Sequence, residues 1–81
     1  MKHYLVEMTT KNGEKRRDRW VTTDTPRAAV AAACASNGVY LSHVNVRVYR
    51  ADMRDGAYVV PNGEAPIPKK EWNYEEEEVD A

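Results

Sequence analysis

The sequence holds a single cysteine, Cys34, which excludes an internal disulfide and any zinc site built from several cysteines. One thiol fits a reducing cytosol, and Cys34 reads as a small buried apolar group on a helix. No apolar run approaches the roughly 20 residues that span a bilayer, and no cationic leader with an apolar stretch opens the chain. A protein of the cytoplasm, with no membrane attachment, is the expectation. Glycine-rich phosphate loops, nucleophile elbows and internal repeats are all missing. His3 and His43 lack zinc-finger spacing to each other and to Cys34, and read as surface residues at strand starts. Glu7, Asp18 and Asp52 lie in or beside strands among basic neighbours, so they read as cross-strand partners, not as an acid-base pair. A chain of 81 residues buries only about 60% of its unfolded surface, too little for a deep cleft. We therefore expect no enzyme, no cofactor and no metal.

What the sequence does have is charge, unevenly placed. Its net charge of −1 conceals a body, residues 1 to 70, with all 12 Lys and Arg against 7 acids, and a tail, residues 71 to 81, with 6 acids and no base. Between them PNGEAPIP, with three prolines, reads as an extended linker. The expected division is a folded domain over residues 1–61 and a proline-containing linker with an acidic tail over 62–81.

The body is organised around Thr23 to Gly38, TDTPRAAVAAACASNG. Thr25 is placed to cap a helix, Pro26 has the fixed φ of a first helical position, and Gly38 can take the left-handed conformation that ends one. The Ala-rich body buries little area but permits close approach to a sheet. Before it, Lys2 to Thr10 alternates, with Tyr4, Val6 and Met8 on one face, and Lys15 to Thr22 is a second strand across the Lys11-Asn12-Gly13 turn. A two-residue loop sets Glu7 opposite Asp18, whereas a three-residue loop sets Glu7 opposite Arg17 and Tyr4 opposite Trp20. The charges favour the three-residue loop, with Gly13 left-handed and Trp20 on the core face. After the helix, Val44, Val46 and Val48 alternate with Asn45, Arg47 and Tyr49, Asp55-Gly56 signals a turn, and Ala57 to Val60 forms a short strand ended by Pro61. The helix stripe Val30, Ala33 and Cys34 would face the apolar side of these strands. The expected fold class is α+β: a ββαββ two-layer sandwich, one helix packed on an antiparallel sheet, with an extended acidic C-terminal tail.

Two surfaces stand out as partner-binding candidates. The first is the basic run Lys15, Arg16, Arg17 and Arg19 with Trp20 beside it, joined from the other hairpin by Arg47, Tyr49 and Arg50. Such residues can contact an acidic protein surface, or neutralise phosphates while aromatics stack on bases. The second is the tail, with Trp72 and Tyr74 followed by Glu75, Glu76, Glu77 and Glu78, whose carboxylates can imitate a nucleic-acid backbone. Ala57 to Val60 is a possible edge strand, so a monomer or a weak dimer is expected.

The layout of a charged hairpin, then T-x-D-T-P-R-A-A-V with an Ala-rich helix, then G-V-Y and V-N-V-R-V-Y, resembles small phage-encoded host-takeover proteins over residues 3 to 60. Small anti-CRISPR proteins and the phage inhibitors of bacterial RNA polymerase share it. The resemblance implies a non-catalytic inhibitor that occupies a surface of a bacterial nucleic-acid-handling complex in the host cytoplasm. Cas proteins of a CRISPR interference complex are the first expected partner and RNA polymerase the alternative. A small nucleic-acid-binding module using the basic hairpin is the third reading.

Overall fold

The structure, a computed structural model, describes residues 1–74. Helix α1, Pro26–Asn37, begins and ends where its signals stand. The Thr25 hydroxyl accepts from the Ala28 N–H at 3.1 Å, and Pro26 opens the first turn. Gly38 closes the helix at φ 65°, a region favourable to glycine, with its N–H on the Ala35 carbonyl. Ala29, Val30, Ala33 and Cys34 form the buried stripe. Three of those four residues are small, which permits close approach of the helix to the sheet, and Val30 is the largest aliphatic group of the stripe, its burial worth about 1.5–3 kcal/mol.

The sheet is antiparallel, with strands β1 (Lys2–Thr10), β2 (Arg19–Thr23), β3 (Val44–Arg54) and β4 (Ala57–Val59) in the order β2-β1-β3-β4. The fold is thus α+β, four antiparallel strands in one sheet and one helix on one face. A 3₁₀ turn, Leu41–His43, leads into β3, and a second, Lys69–Glu71, lies beyond β4. The turn between β3 and β4 is the Asp55-Gly56 pair, both left-handed at φ 51° and 79°, as a two-residue hairpin of type I′ requires.

The first hairpin corrects the expected register. Its tip does have the three-residue loop: the Thr10 N–H donates to the Glu14 carbonyl at 2.8 Å, Gly13 is left-handed at φ 89°, and Thr9 bridges Lys15. Residues 16–18 then absorb one extra residue, and β2 re-pairs with Tyr4 opposite Val21, Leu5 opposite Trp20 and Val6 opposite Arg19. Because side chains alternate along a strand, a slip of one exchanges the faces. Trp20 leaves the core face for the open face, where it is 42% exposed, and Val21 takes its place beneath the helix. Arg19 also turns towards the helix.

The reason lies in Asn37. Its side-chain N–H donates to the Arg17 carbonyl at 3.1 Å, which holds the widened segment of the hairpin in place. Its Oδ1 accepts from Arg19 Nε at 3.3 Å and Nη2 at 3.2 Å, and Nη2 also donates to the Ser36 carbonyl at 3.2 Å. The last turn of α1 has no basic residue of its own. Arg19 supplies the cation from the sheet, where it offsets the negative end of the helix dipole and satisfies an orphan carbonyl. These interactions outweigh the cross-strand charge match between Glu7 and Arg17, an exposed pair worth only a few tenths of a kcal/mol.

The packed body also extends past Pro61. Ile67 donates its N–H to the Val48 carbonyl at 2.7 Å, and Trp72, only 5% exposed, joins Leu41, Val44 and Val48 in the core with its Nε1 on the Ile67 carbonyl at 3.2 Å. Residues 66–74 therefore close one end of the core and are no free linker. A large aromatic in an otherwise polar segment, following a proline-restrained stretch, packs where a small Ala-rich helix leaves the core incomplete.

Tyr4 is fully buried and its hydroxyl meets no hydrogen-bond partner among the described residues. Burial raises its pKa above the ordinary phenol value; the Arg50 charge opposes the rise, and Asp24 and Glu71 add to it. The folded state thus retains the phenolic proton at a pH where the unfolded chain loses it. Stability from this group is complete below about pH 10 and falls as the pH rises beyond it. Tyr4→Phe is expected to weaken that alkaline loss and to be neutral or stabilising near pH 7, since an unpaired hydroxyl leaves the core. Asn37→Ala is expected to cost about 1–3 kcal/mol by stranding the Arg17 carbonyl and the Arg19 guanidinium. Urea titrations at pH 7 and pH 10.5 measure both, and an Asn37→Ala chain as stable as the parent would refute the assigned lock.

Candidate binding surface

Strand alternation gives the open face of the sheet His3, Leu5, Glu7 and Thr9 from β1, Trp20 and Thr22 from β2, and Asn45, Arg47 and Tyr49 from β3. The helix covers the other face. Leu5 and Tyr49 sit opposite one another, half-buried and outside the core cluster. Tyr58 of β4 stacks on Trp20, with ring centroids 5.4 Å apart and planes inclined by 10°, and meets the edge of His3 at 5.6 Å. The plate is held by hydrogen bonds: Thr22 Oγ1 lies 3.0 Å from the Tyr58 hydroxyl and 2.9 Å from His3 Nδ1. A stacked aromatic pair in which the Tyr58 hydroxyl is tied loses little further freedom when a partner covers it.

The basic residues do not form one patch. Arg16 and Arg17 are exposed, and neither makes an ion pair with a described residue, while their backbone is held on both sides: the Arg16 N–H donates to the Met8 carbonyl at 2.9 Å and the Arg17 carbonyl accepts from Asn37. Lys15 lies 3.7 Å from Asp18, a mostly solvated pair of small worth. Arg47 is exposed on the open face. Arg50, opposite Tyr4, belongs to the helix side of the sheet, and Arg54 pairs with Asp52 at 3.0 Å.

Several candidates therefore change role. Arg19 is committed to the helix terminus and Trp72 to the core, so neither is offered to a partner. Tyr74 is half-buried against the core. Glu75, Glu76, Glu77 and Glu78 lie outside the described residues. Trp20 joins Arg16 and Arg17 as a surface group, though on the face opposite to the one expected. His3, Thr22 and Tyr58 are additions to the surface that sequence reasoning missed. Tyr58 had a signal: across the Asp55-Gly56 turn it pairs with Met53, whose position shares the open face with Tyr49 and Ala51.

No family model, curated protein or solved structure matches the chain. Among the described residues no three His, Cys, Asp or Glu side chains group as a metal ion would need, and no helix is long and apolar enough to cross a membrane. What the arrangement can do chemically is recognition: two cations on a fixed backbone beside a flat, half-exposed aromatic plate.

The two tryptophans offer a direct check. With Trp72→Phe, the remaining Trp20 is expected to emit at long wavelength and to be quenched readily by acrylamide; with Trp20→Phe, Trp72 is expected to emit at short wavelength and to resist quenching. Equal quenching of the two would contradict the exchange of faces.

Proposed function

We propose that the protein is a non-catalytic inhibitor of the phage type, docking through the β1–β2 hairpin and the adjoining aromatic plate onto a bacterial nucleic-acid-handling complex. A CRISPR interference complex is the target we favour. The observation that carries the reading is the pairing of Arg16 and Arg17, exposed and without ion pairs to described residues on a backbone pinned by Met8 and Asn37, with the Trp20–Tyr58 stack. Arg, Trp and Tyr are the residues on which interface energy concentrates, and a surface ordered before binding loses less entropy on docking. The cations would steer the hairpin towards an acidic surface on the target. The choice of target class is supported by the layout, a charged hairpin ahead of an Ala-rich helix and a V-N-V-R-V-Y strand, which resembles small anti-CRISPR proteins.

The test uses purified CRISPR interference complex and purified bacterial RNA polymerase side by side. Inhibition of target-DNA cleavage or binding is expected, with transcription untouched. The double variant Arg16→Glu, Arg17→Glu is expected to keep its folded circular dichroism spectrum and to bind at least about 30-fold more weakly, equivalent to about 2 kcal/mol. Normal inhibition by that variant removes the hairpin from the interface. Loss of transcripts with intact interference transfers the target to the polymerase.

A further inference from the structure

We propose that the outer edge of β3 at Val46 is a strand-addition site for an extended, acidic segment of a partner protein, distinct from the Arg16–Arg17 and Trp20–Tyr58 surface and independent of the function proposed above. The phase of the ladder fixes which backbone groups are free. Met8 uses its carbonyl towards the β2 side, accepting from Arg16, so its partner Val46 is not hydrogen-bonded to β1. Val48, two residues on, points its carbonyl away from β1 and receives the Ile67 N–H at 2.7 Å. Val46 points the same way, and among the described residues no backbone group meets its N–H or C=O. The chain's own segment cannot continue along this edge, because Ile67 is flanked by Pro66 and Pro68, which have no N–H to donate.

The free edge opens into a groove of about 580 Å³ between β3, the Leu41–His43 turn and residues 66–73. Leu41, Val44, Ile67 and Trp72 give it apolar lining, Lys11 and Arg47 bring cations to it, and among the described residues no acidic side chain lines it. Lys11 is steadied over the edge by a 3.1 Å bond to Asn45 Oδ1. The apolar lining takes alternate side chains of an added strand, the Val46 backbone groups take its backbone, and the cations select carboxylates on the outward positions. The same cations disfavour a second copy of this chain, which would bring Lys11 and Arg47 against Lys11 and Arg47.

A fluorescein-labelled peptide of about eight residues alternating Glu and Val serves as the probe, titrated into the full chain by anisotropy, with amide exchange followed by NMR. Binding in the range of about 10–100 μM, weaker at high salt, is expected, together with at least a ~10-fold slowing of exchange at the Val46 amide. Arg47→Glu is expected to weaken binding about 10-fold, and Lys11→Glu, across the groove, serves as the second variant if the first perturbs the fold. The proposal is overturned by absence of binding, by equal binding of a Lys-Val peptide, or by binding that leaves Val46 exchange unchanged. A Val46 amide already protected in the free protein would overturn it too, since the edge would then be occupied by the chain itself. So would a single-stranded oligonucleotide that displaces the peptide and binds more tightly.

Discussion

The bond set between Asn37 at the end of the helix and Arg17 and Arg19 in the hairpin is the constraint from which the other features follow. It joins two elements that meet far apart in the chain, and it decides which face each β2 side chain takes. With Arg19 turned to the helix terminus, Val21 packs beneath the helix and Trp20 faces out. A side-chain amide serves well here because it donates and accepts at once, to a carbonyl on one side and a guanidinium on the other. The cost is a widened segment at residues 16–18, which leaves Asp18 Oδ1 buried without a partner among the described residues.

That same widening supplies the surface features. A regular two-stranded ribbon would place Arg16 and Arg17 on opposite faces of a continuous ladder; the extra residue interrupts the ladder and presents both side chains to solvent while their backbone stays bonded. Trp20, released from the core, finds Tyr58 at 5.4 Å and is ordered by it. A large apolar ring left in water is a loss in stability that a docking surface recovers on binding. The core makes up the missing volume from elsewhere, drawing Trp72 in from beyond β4.

The sheet treats its edges differently. β4 is three residues long and ends before Pro61, which blunts pairing from that side. The outer edge of β3 is paired with β4 at Asp52–Arg54 and covered at Val48 by Ile67; beyond that, among the described residues, it is left to the charges of Lys11 and Arg47. Charges at an edge prevent pairing with like chains and permit it with opposite ones. The two surfaces proposed for docking share this logic, one presenting guanidinium groups on a hairpin and the other backbone groups beside cations.

Local chemistry made much of the fold legible. Thr25, Pro26 and Gly38 bound the helix, alternation defines β1 and β3, and Gly13 and Asp55-Gly56 form the turns their residue types demand, because each signal acts within a few residues of itself. The exposed Arg16, Arg17 and Arg47 were equally legible as solvent-facing cations. The β1–β2 register was not, since cross-strand charge pairing is worth tenths of a kcal/mol and yields to a helix terminus in need of a cation. Nor was the place of Trp72, which depends on how much core the Ala-rich helix leaves unfilled. The sequence by itself determined the elements and their turns; the faces of Trp20, Arg19 and Trp72 were decided only when the helix, the hairpin and residues 66–74 met, because those choices rest on contacts between segments distant in the chain.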